Sequence, residues 1–508
     1  MKKLIEKQDV IHLAILAAIA LVIGVYLMAV TVLISEDGVY YIERAKVLTN
    51  DLIELTKTHP PGYPFLILTA HKFASLFTDS TSNQVWIYSA QGVTLLCRLL
   101  ALIPLYLIGK LLVGSKNSFW AILILILLPY PAQFVCDVVR EWPHLLVLST
   151  SLLFLILASR QRKWWMFAVA GLLSGLGYTI RPDSVQIVLY GMAWATITLV
   201  NQKDNISRLK TVGLAAILVV GFAIPAVPFM NMSEQFLPPQ LKQVLTSDAV
   251  CQPETGMEVD FVRIESANVT PGISTQILKS FEQLTEKLSQ NLAYFFVLPL
   301  IIGLYCHFRK MRDILVNDNF FILALVTVYI VMMVLLYINC HYMTRRHCLP
   351  MIVFTVFYIP IGLHCMANWL NNRISNPGKR KDGIFQDKRS SWFVILFLIG
   401  MVICMVRLLE PDRIEKQSYV AAAKWIKENT DKDEVIDVPD ARISFYGDRK
   451  GTEYPHQGGT NYLLEIFKEN RNEDEQTKKM WREVFSAPVE KKSVLVIYKK
   501  QEQETSGS

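Results

Sequence analysis

The chain has 508 residues, 52% of them hydrophobic and 19% charged, with a formal net charge of +7 and a mean hydropathy of +0.32. This is too apolar for a soluble enzyme and too evenly apolar for a protein with one membrane anchor, so it reads as a polytopic membrane protein. Its basic residues sit in short loops between apolar runs and gather on no single face, which excludes nucleic acid as a partner and makes membrane topology their explanation.

Met1-Lys2-Lys3 before a long apolar run resembles a signal peptide, but the run at 10–34 is too long and no Ala-x-Ala-type cleavage site closes it. It predicts a retained first helix, since crossing a hydrocarbon core takes about 20 helical residues. Ser35-Glu36-Asp37-Gly38-Val39-Tyr40-Tyr41 then leaves the membrane with paired carboxylates. A carboxylate beside lipid is costly unless a polar cavity solvates it, which makes Glu36 and Asp37 a candidate site; a plain helix end in water is the alternative. Tyr41, Ala45, Leu48, Leu52 and Leu55 recur at helical spacing and predict an amphipathic interfacial helix over 41–55. In His59-Pro60-Pro61-Gly62-Tyr63-Pro64 the double proline stiffens the loop that projects the His59 imidazole. The apolar stretch 65–77 is short and broken by His71 and Lys72, so it predicts a second interfacial or re-entrant helix and not a span.

Further apolar runs at 85–113, 118–135, 142–159, 164–180, 184–200, 210–230, 291–308, 319–338, 348–370 and 391–409 bring the expected spans to eleven. With the amino terminus cytoplasmic, the basic loops 160–163, 203–210, 309–312 and 373–389 all fall inside, in line with the positive-inside bias. The loops 35–84, 136–141, 181–183, 231–290 and 339–347 then lie outside with the carboxyl terminus. From about Ile414 the composition becomes that of a soluble domain. A helix is expected over 419–427, a strand at Val435-Ile436-Asp437-Val438, two more helical segments, and a strand at Val494-Leu495-Val496-Ile497-Tyr498. The fold class is therefore mainly α, a transmembrane bundle over 1–412 with a small extracytoplasmic α/β domain over 413–508.

In this topology the outer side carries few positive charges, so Arg140, Arg181, Arg345 and Arg346, each at the outer end of a span, stand out. Guanidinium forks suit phosphate oxygens, and several converging would make an anion site; snorkelling to lipid headgroups is the plain alternative for any one of them. Asp137 and Glu141 lie four residues apart and would share one helical face beside Arg140, as a local salt bridge or a second polar cluster. In Arg181-Pro182-Asp183 the proline is expected to end one helix and begin the next, with Asp183 as its cap. His59 is a candidate ligand for phosphate or hydroxyl. No HxxxH or HExxH is present, so no metal site is assigned; a divalent cation is a candidate cofactor only if folding gathers Glu36, Asp37 and His59. Eight cysteines form no CxxC pair, and Cys136, Cys251, Cys340 and Cys348 lie near the outer side, where one bridge could form.

Taken together, nearly the whole chain resembles the GT-C superfamily of membrane glycosyltransferases, close to the protein O-mannosyltransferases (glycosyltransferase family 39) and the bacterial aminoarabinose transferases of lipid A. The likeness rests on Glu36-Asp37 after the first helix with Tyr40 following, on Pro60-Pro61-Gly62-Tyr63, on the span from Gly171 to Arg181-Pro182, and on Arg346-His347-Cys348-Leu349-Pro350. Ala423-Lys424-Trp425-Ile426 and Ile443-Ser444-Phe445-Tyr446 resemble the tail of many bacterial members. The family usually has Asp-Glu where Glu36-Asp37 stand, lysine in place of His59 in the aminoarabinose enzymes, and aromatic residues in place of His347 and Cys348.

The resemblance implies an inverting transfer of sugar from a polyprenyl-phosphate donor to the hydroxyl of a glycan, lipid or protein acceptor. The reaction would take place on the outer face of a bacterial cytoplasmic membrane, among its lipids. It implies Glu36 or Asp37 as general base, Glu36 matching by position the usual catalytic aspartate. His59, Arg181, Arg345 and Arg346 would hold the donor phosphate, and Tyr40, Tyr63, Asp137, Arg140 and Glu141 the substrates. Secondary transport is the alternative; it predicts repeated halves and midplane charges, and neither is visible in the sequence.

Overall fold

The computed structural model describes residues 5–49, 56–57, 59–78, 82–200, 207–233, 273–309, 318–374, 391–453, 460–468, 480–489 and 493–501. In chain order the helices are α1 (Lys7–Val30), α2 (Glu36–Val47), α3 (Gly62–Ala74), α4 (Asn83–Val113), α5 (Ser115–Leu127), α6 (Pro129–Gln133), α7 (Glu141–Gln161), α8 (Trp164–Tyr178) and α9 (Gln186–Val200). They continue with α10 (Arg208–Ser233), α11 (Ile273–Asn291), α12 (Val297–Phe308), α13 (Asn319–Cys340), α14 (Leu349–Ile374), α15 (Ser391–Leu409), α16 (Gln417–Asn429) and α17 (Ala441–Tyr446).

Among the described residues, eight helices are long and apolar enough to cross a membrane. The other three expected spans are the shorter apolar helices α5, α8 and α12, of 13, 15 and 12 residues. Their lengths come to about 18–23 Å, against a hydrocarbon core of about 30 Å. The chain is an integral membrane protein of the mainly helical class.

Where α8 crosses α10, Gly171 and Gly175 present bare backbone one turn apart. A Cβ at either would collide with the carbonyl of Leu218 or Phe222, so the two helices touch backbone to backbone. At one end of the bundle Asp9 accepts hydrogen bonds from Lys110 Nζ at 2.5 Å, Tyr106 Oη at 2.8 Å and Ser115 Oγ at 3.0 Å, tying α1, α4 and α5. Arg160 pairs with Asp318 before α13. The motifs Glu36-Asp37, Arg181-Pro182 and Arg345-Arg346 all lie at the opposite end, which is the alternation the eleven-span threading requires.

The first span ends earlier than expected, at Val30, and the interfacial helix begins earlier, at Glu36 in place of Tyr41. Ser35 is the reason: its side chain accepts from the Gly38 N–H at 3.0 Å and caps α2, whose first turn holds Glu36 and Asp37 at the positive end of the helix dipole. Helix α2 ends at Val47, and residues 50–55 of the expected helix lie outside the described residues.

The carboxyl-terminal region forms a five-stranded mixed sheet of β1 (Val435–Val438), β2 (Lys450–Glu453), β3 (Tyr462–Lys468), β4 (Trp481–Val489) and β5 (Ser493–Lys500), in the order β2-β1-β3-β5-β4. Strand β1 pairs in parallel with β2 and β3, while β5 lies antiparallel to β3 and β4. Between β1 and β5 the described residues hold one of the extra helices expected, α17, and three strands the sequence did not show, β2, β3 and β4. Nor is the domain an appendage. Leu33, 1% exposed, sits in its core with Tyr419, Ile436 and Ile443; the Ile34 N–H donates to Tyr446 Oη at 3.0 Å, and Asn83 Nδ2 donates to the Phe445 carbonyl at 2.7 Å.

Candidate active site

The site is assembled from segments that the bundle delivers to one end: the start of α2, the turn 134–140, the break between α8 and α9, the segment before α14, and the chain after α15. Ser35 Oγ donates to the Asp137 carbonyl at 2.7 Å, seating α2 on the turn. Gly38 permits that contact, since a Cβ there would stand 2.6 Å from the Asp137 oxygen. Gly62 plays the same part for α3: its N–H donates to the Thr179 carbonyl at 2.9 Å, and a Cβ would lie 2.8 Å from that oxygen.

On this frame the charges interlock. Asp37, 5% exposed, accepts a hydrogen bond and ion pair from Arg346 Nη1. Burial alone would lower the Arg346 guanidinium, but Asp37, Glu141 and Asp137 together outweigh it and hold Arg346 above its ordinary value. Arg181 stands 3.8 Å from Glu141 and 2.9 Å from Asp183. Arg413 Nη1 donates to Asp137 Oδ1 at 2.5 Å and to the Leu33 carbonyl at 3.0 Å. Glu36 Oε1 accepts from Arg442 Nη2 at 3.0 Å. Burial and the nearby Asp440 carboxylate raise the Glu36 carboxyl to about 7, against the opposing charges of Arg442 and Lys416. Glu141 is 6% exposed, and its Oε2 has no hydrogen-bond partner among the described residues.

Aromatic rings line the α2 side. Tyr40 meets the His59 ring at 5.0 Å between centroids and lies under Arg44 at 4.9 Å, while Arg140 stands 5.9 Å from the Tyr41 ring.

Residues 58–229 match the family profile described as dolichyl-phosphate-mannose-protein mannosyltransferase. In structure the chain is similar to the archaeal oligosaccharyltransferase AglB from Archaeoglobus fulgidus, solved in complex with an inhibitory peptide and a dolichol-phosphate. The TM-score is 0.53 at 12% identity, covering 90% of this chain and 69% of that one. It is also similar to ArnT from Cupriavidus metallidurans bound to undecaprenyl phosphate, with a TM-score of 0.56 at 13% identity over 95% of this chain and 97% of that one. No curated protein sequence matches the chain. The chain has the GT-C fold of these structures.

Within the GT-C frame, the structure brings Glu36, Asp37, Asp137, Glu141, Arg181 and Arg346 to one charged end, with Tyr40, His59 and Arg140 along the α2 side. Tyr63 lies behind them: it is 1% exposed, its ring packs edge-on against Tyr41 at 5.1 Å between centroids, and its Oη shares a hydrogen bond with Thr94 Oγ1 at 3.0 Å. Arg345 turns away from Arg346 and stacks on Tyr130 at 3.9 Å, a ring it shares with Arg407 at 4.5 Å. Asp137 and Glu141 share no helical face, because Val138 takes φ 59° and α7 starts only at Glu141. Asp183 makes no cap hydrogen bond and serves as the ion partner of Arg181.

Among the described residues, no three His, Cys, Asp or Glu side chains stand close enough to hold a metal ion; Glu36 and Asp37 turn to different arginines. Of the outer cysteines, Cys136 and Cys348 are free thiols and Cys340 is disulfide-bonded, while Cys251 lies outside the described residues.

Sequence reasoning missed Arg413, Arg442 and Asp440, whose partners are remote in the chain. It also missed His144, fully buried beside the Arg181 and Asp183 charges. The spacing Glu141-x-x-His144, one turn apart on a span, was the signal that could have found it.

Proposed function

We propose that this protein is an inverting glycosyltransferase that moves a sugar from a polyprenyl-phosphate donor to an acceptor hydroxyl on the outer face of a bacterial cytoplasmic membrane. The observation that carries the reading is the capped acidic pair at the start of α2, with Asp37 locked on Arg346 and Glu36 poised near neutrality beside it. The polyprenyl and dolichyl phosphates bound to ArnT and AglB support a lipid-linked donor. The acidic pair and its arginine partners, gathered at one end of the bundle, favour transfer over transport, which needs a midplane site.

In this reading the ionised Glu36 takes the proton of the acceptor hydroxyl as its oxygen attacks the anomeric carbon from the face opposite the phosphate. The carbon–oxygen bond to phosphate breaks, and the polyprenyl phosphate leaves with both electrons. The charge left on phosphate is met by Arg346 and Arg181, fixed in place beforehand by Asp37 and Asp183. His59 and Arg140 flank the donor sugar-phosphate, Arg345 belongs to the membrane rim beside it, and the unpartnered oxygen of Glu141 accepts from an acceptor hydroxyl.

The test is transfer of labelled sugar from a panel of synthetic polyprenyl-phosphate donors by the purified protein in detergent. Turnover with inverted anomeric configuration, abolished in Glu36→Gln, supports the reading. No turnover with any donor, together with accumulation of a small anion in proteoliposomes, overturns it in favour of transport.

A further inference from the structure

The sheet domain reaches the acidic pair through one short helix. Helix α17 carries Arg442, 2% exposed, whose Nη2 lies 3.0 Å from Glu36 Oε1 and 2.6 Å from Asp440 Oδ2. Arg442 is held from three more directions by Asp440: Nε donates to Oδ1 at 2.9 Å and to Oδ2 at 3.2 Å, and the Arg442 backbone N–H donates to Oδ1 at 3.0 Å. Glu36 thus meets a guanidinium already tied to Asp440 by four hydrogen bonds. The same helix holds the chain just ahead of the acidic pair, where Tyr446 Oη accepts from the Ile34 N–H, and reaches the start of α4, where the Phe445 carbonyl accepts from Asn83 Nδ2.

We propose that the carboxyl-terminal sheet domain is part of the active site, with Arg442 and Asp440 acting as positioning residues that orient the Glu36 carboxyl and govern when it can accept a proton. The inference rests on the reading of Glu36 as general base. The charged groups facing Glu36 are Arg442 on α17, Asp440 at the cap of α17, and Lys416 from the turn Ile414–Lys416, whose Nζ is 4.0 Å from Asp440. On its own helix the neighbouring Asp37 is committed to Arg346. A carboxylate and a guanidinium pull the Glu36 proton affinity in opposite directions, so removing each has an opposite, readable sign.

The experiment is an infrared pH titration of full-length protein in detergent, with Glu36 assigned as the carboxyl band absent from Glu36→Gln, followed by pH profiles of kcat/KM on the donor panel. In wild type the band titrates near 7. The midpoint moves down in Asp440→Asn and up in Arg442→Gln, while Arg442→Lys, which keeps the charge, lies between wild type and Arg442→Gln. Each shift of about one unit is a tenfold change in the ionised fraction below the midpoint, and the acid limb of kcat/KM follows it. A wild-type midpoint in the ordinary carboxylate range, or shifts of the same sign in Asp440→Asn and Arg442→Gln, overturns the proposal. If the infrared midpoints move as stated while no donor turns over, the linkage stands and the transferase reading is what fails.

Discussion

Asp37 and Arg346, 309 positions apart in sequence, close on each other as an ion pair with the carboxylate almost wholly buried. Removing one partner leaves a buried charge alone, which costs about 3–5 kcal/mol in dry interiors; with Arg346 still 24% exposed, about 2–3 kcal/mol is the expected loss for Asp37→Asn. Thermal melting in detergent should fall accordingly, and the double variant Asp37→Asn/Arg346→Gln should recover part of it. In transfer assays Arg346→Ala should lower kcat/KM at least ~10-fold, one charge-assisted hydrogen bond to the departing phosphate being worth that much.

Glu36 ties stability to pH. Its folded value of about 7 lies above the ordinary 4.5, so the folded state holds the proton more tightly than the unfolded chain. The stabilisation is full below about 4.5 and is lost as pH rises through about 7, up to roughly 3 kcal/mol. Melting curves from pH 5 to 8 should therefore show a decline in wild type that is flatter in Glu36→Gln.

Gly38→Ala should push α2 off the Asp137 carbonyl, a collision at 2.6 Å with backbone that cannot yield. A loss of ~1–3 kcal/mol and a fall in transfer are expected. Gly92→Ala is the control: a Cβ there meets nothing within 4 Å, so the variant should melt at or above wild type by up to about 1 kcal/mol of helix propensity.

The thiols report which face is outside. Peptide mapping without reductant should find Cys340 in a disulfide, with Cys136 and Cys348 as free thiols. In intact cells a membrane-impermeant reductant should open that bridge, because disulfides persist on the oxidising side. A Cys340 found reduced in freshly isolated membranes would reverse the proposed orientation.

The bundle was legible in the sequence because spans are written locally: runs such as 10–34 and 319–338 need no partner to be recognised. The start of α2 was legible too but misread, since the apolar run carried through Ile34 and drew attention from Ser35 as a cap with two acids behind it. Tyr462–Lys468 was not legible as a strand, for a different reason. Its Tyr-Leu-Leu-Glu-Ile-Phe-Lys pattern suits a helix face as well as a strand, and only pairing with β1 and β5 decides. The salt bridges Asp137–Arg413 and Glu36–Arg442 span 276 and 406 positions, a distance over which neither periodicity nor charge spacing carries information.

Leu33 gives the molecule an order of events. It leaves the ribosome early, just behind the first span, yet its place is inside a core completed by Leu495 and Ile497 near the far end of the chain. Until β5 has been made, the segment leading into α2 lacks the core that buries Leu33, and a nascent protein halted after α15 would lack the contacts that hold its acidic turn. Assembly of the sheet domain thus follows synthesis of every described span, and a frameshift ahead of β5 should be as disabling as one at Leu33.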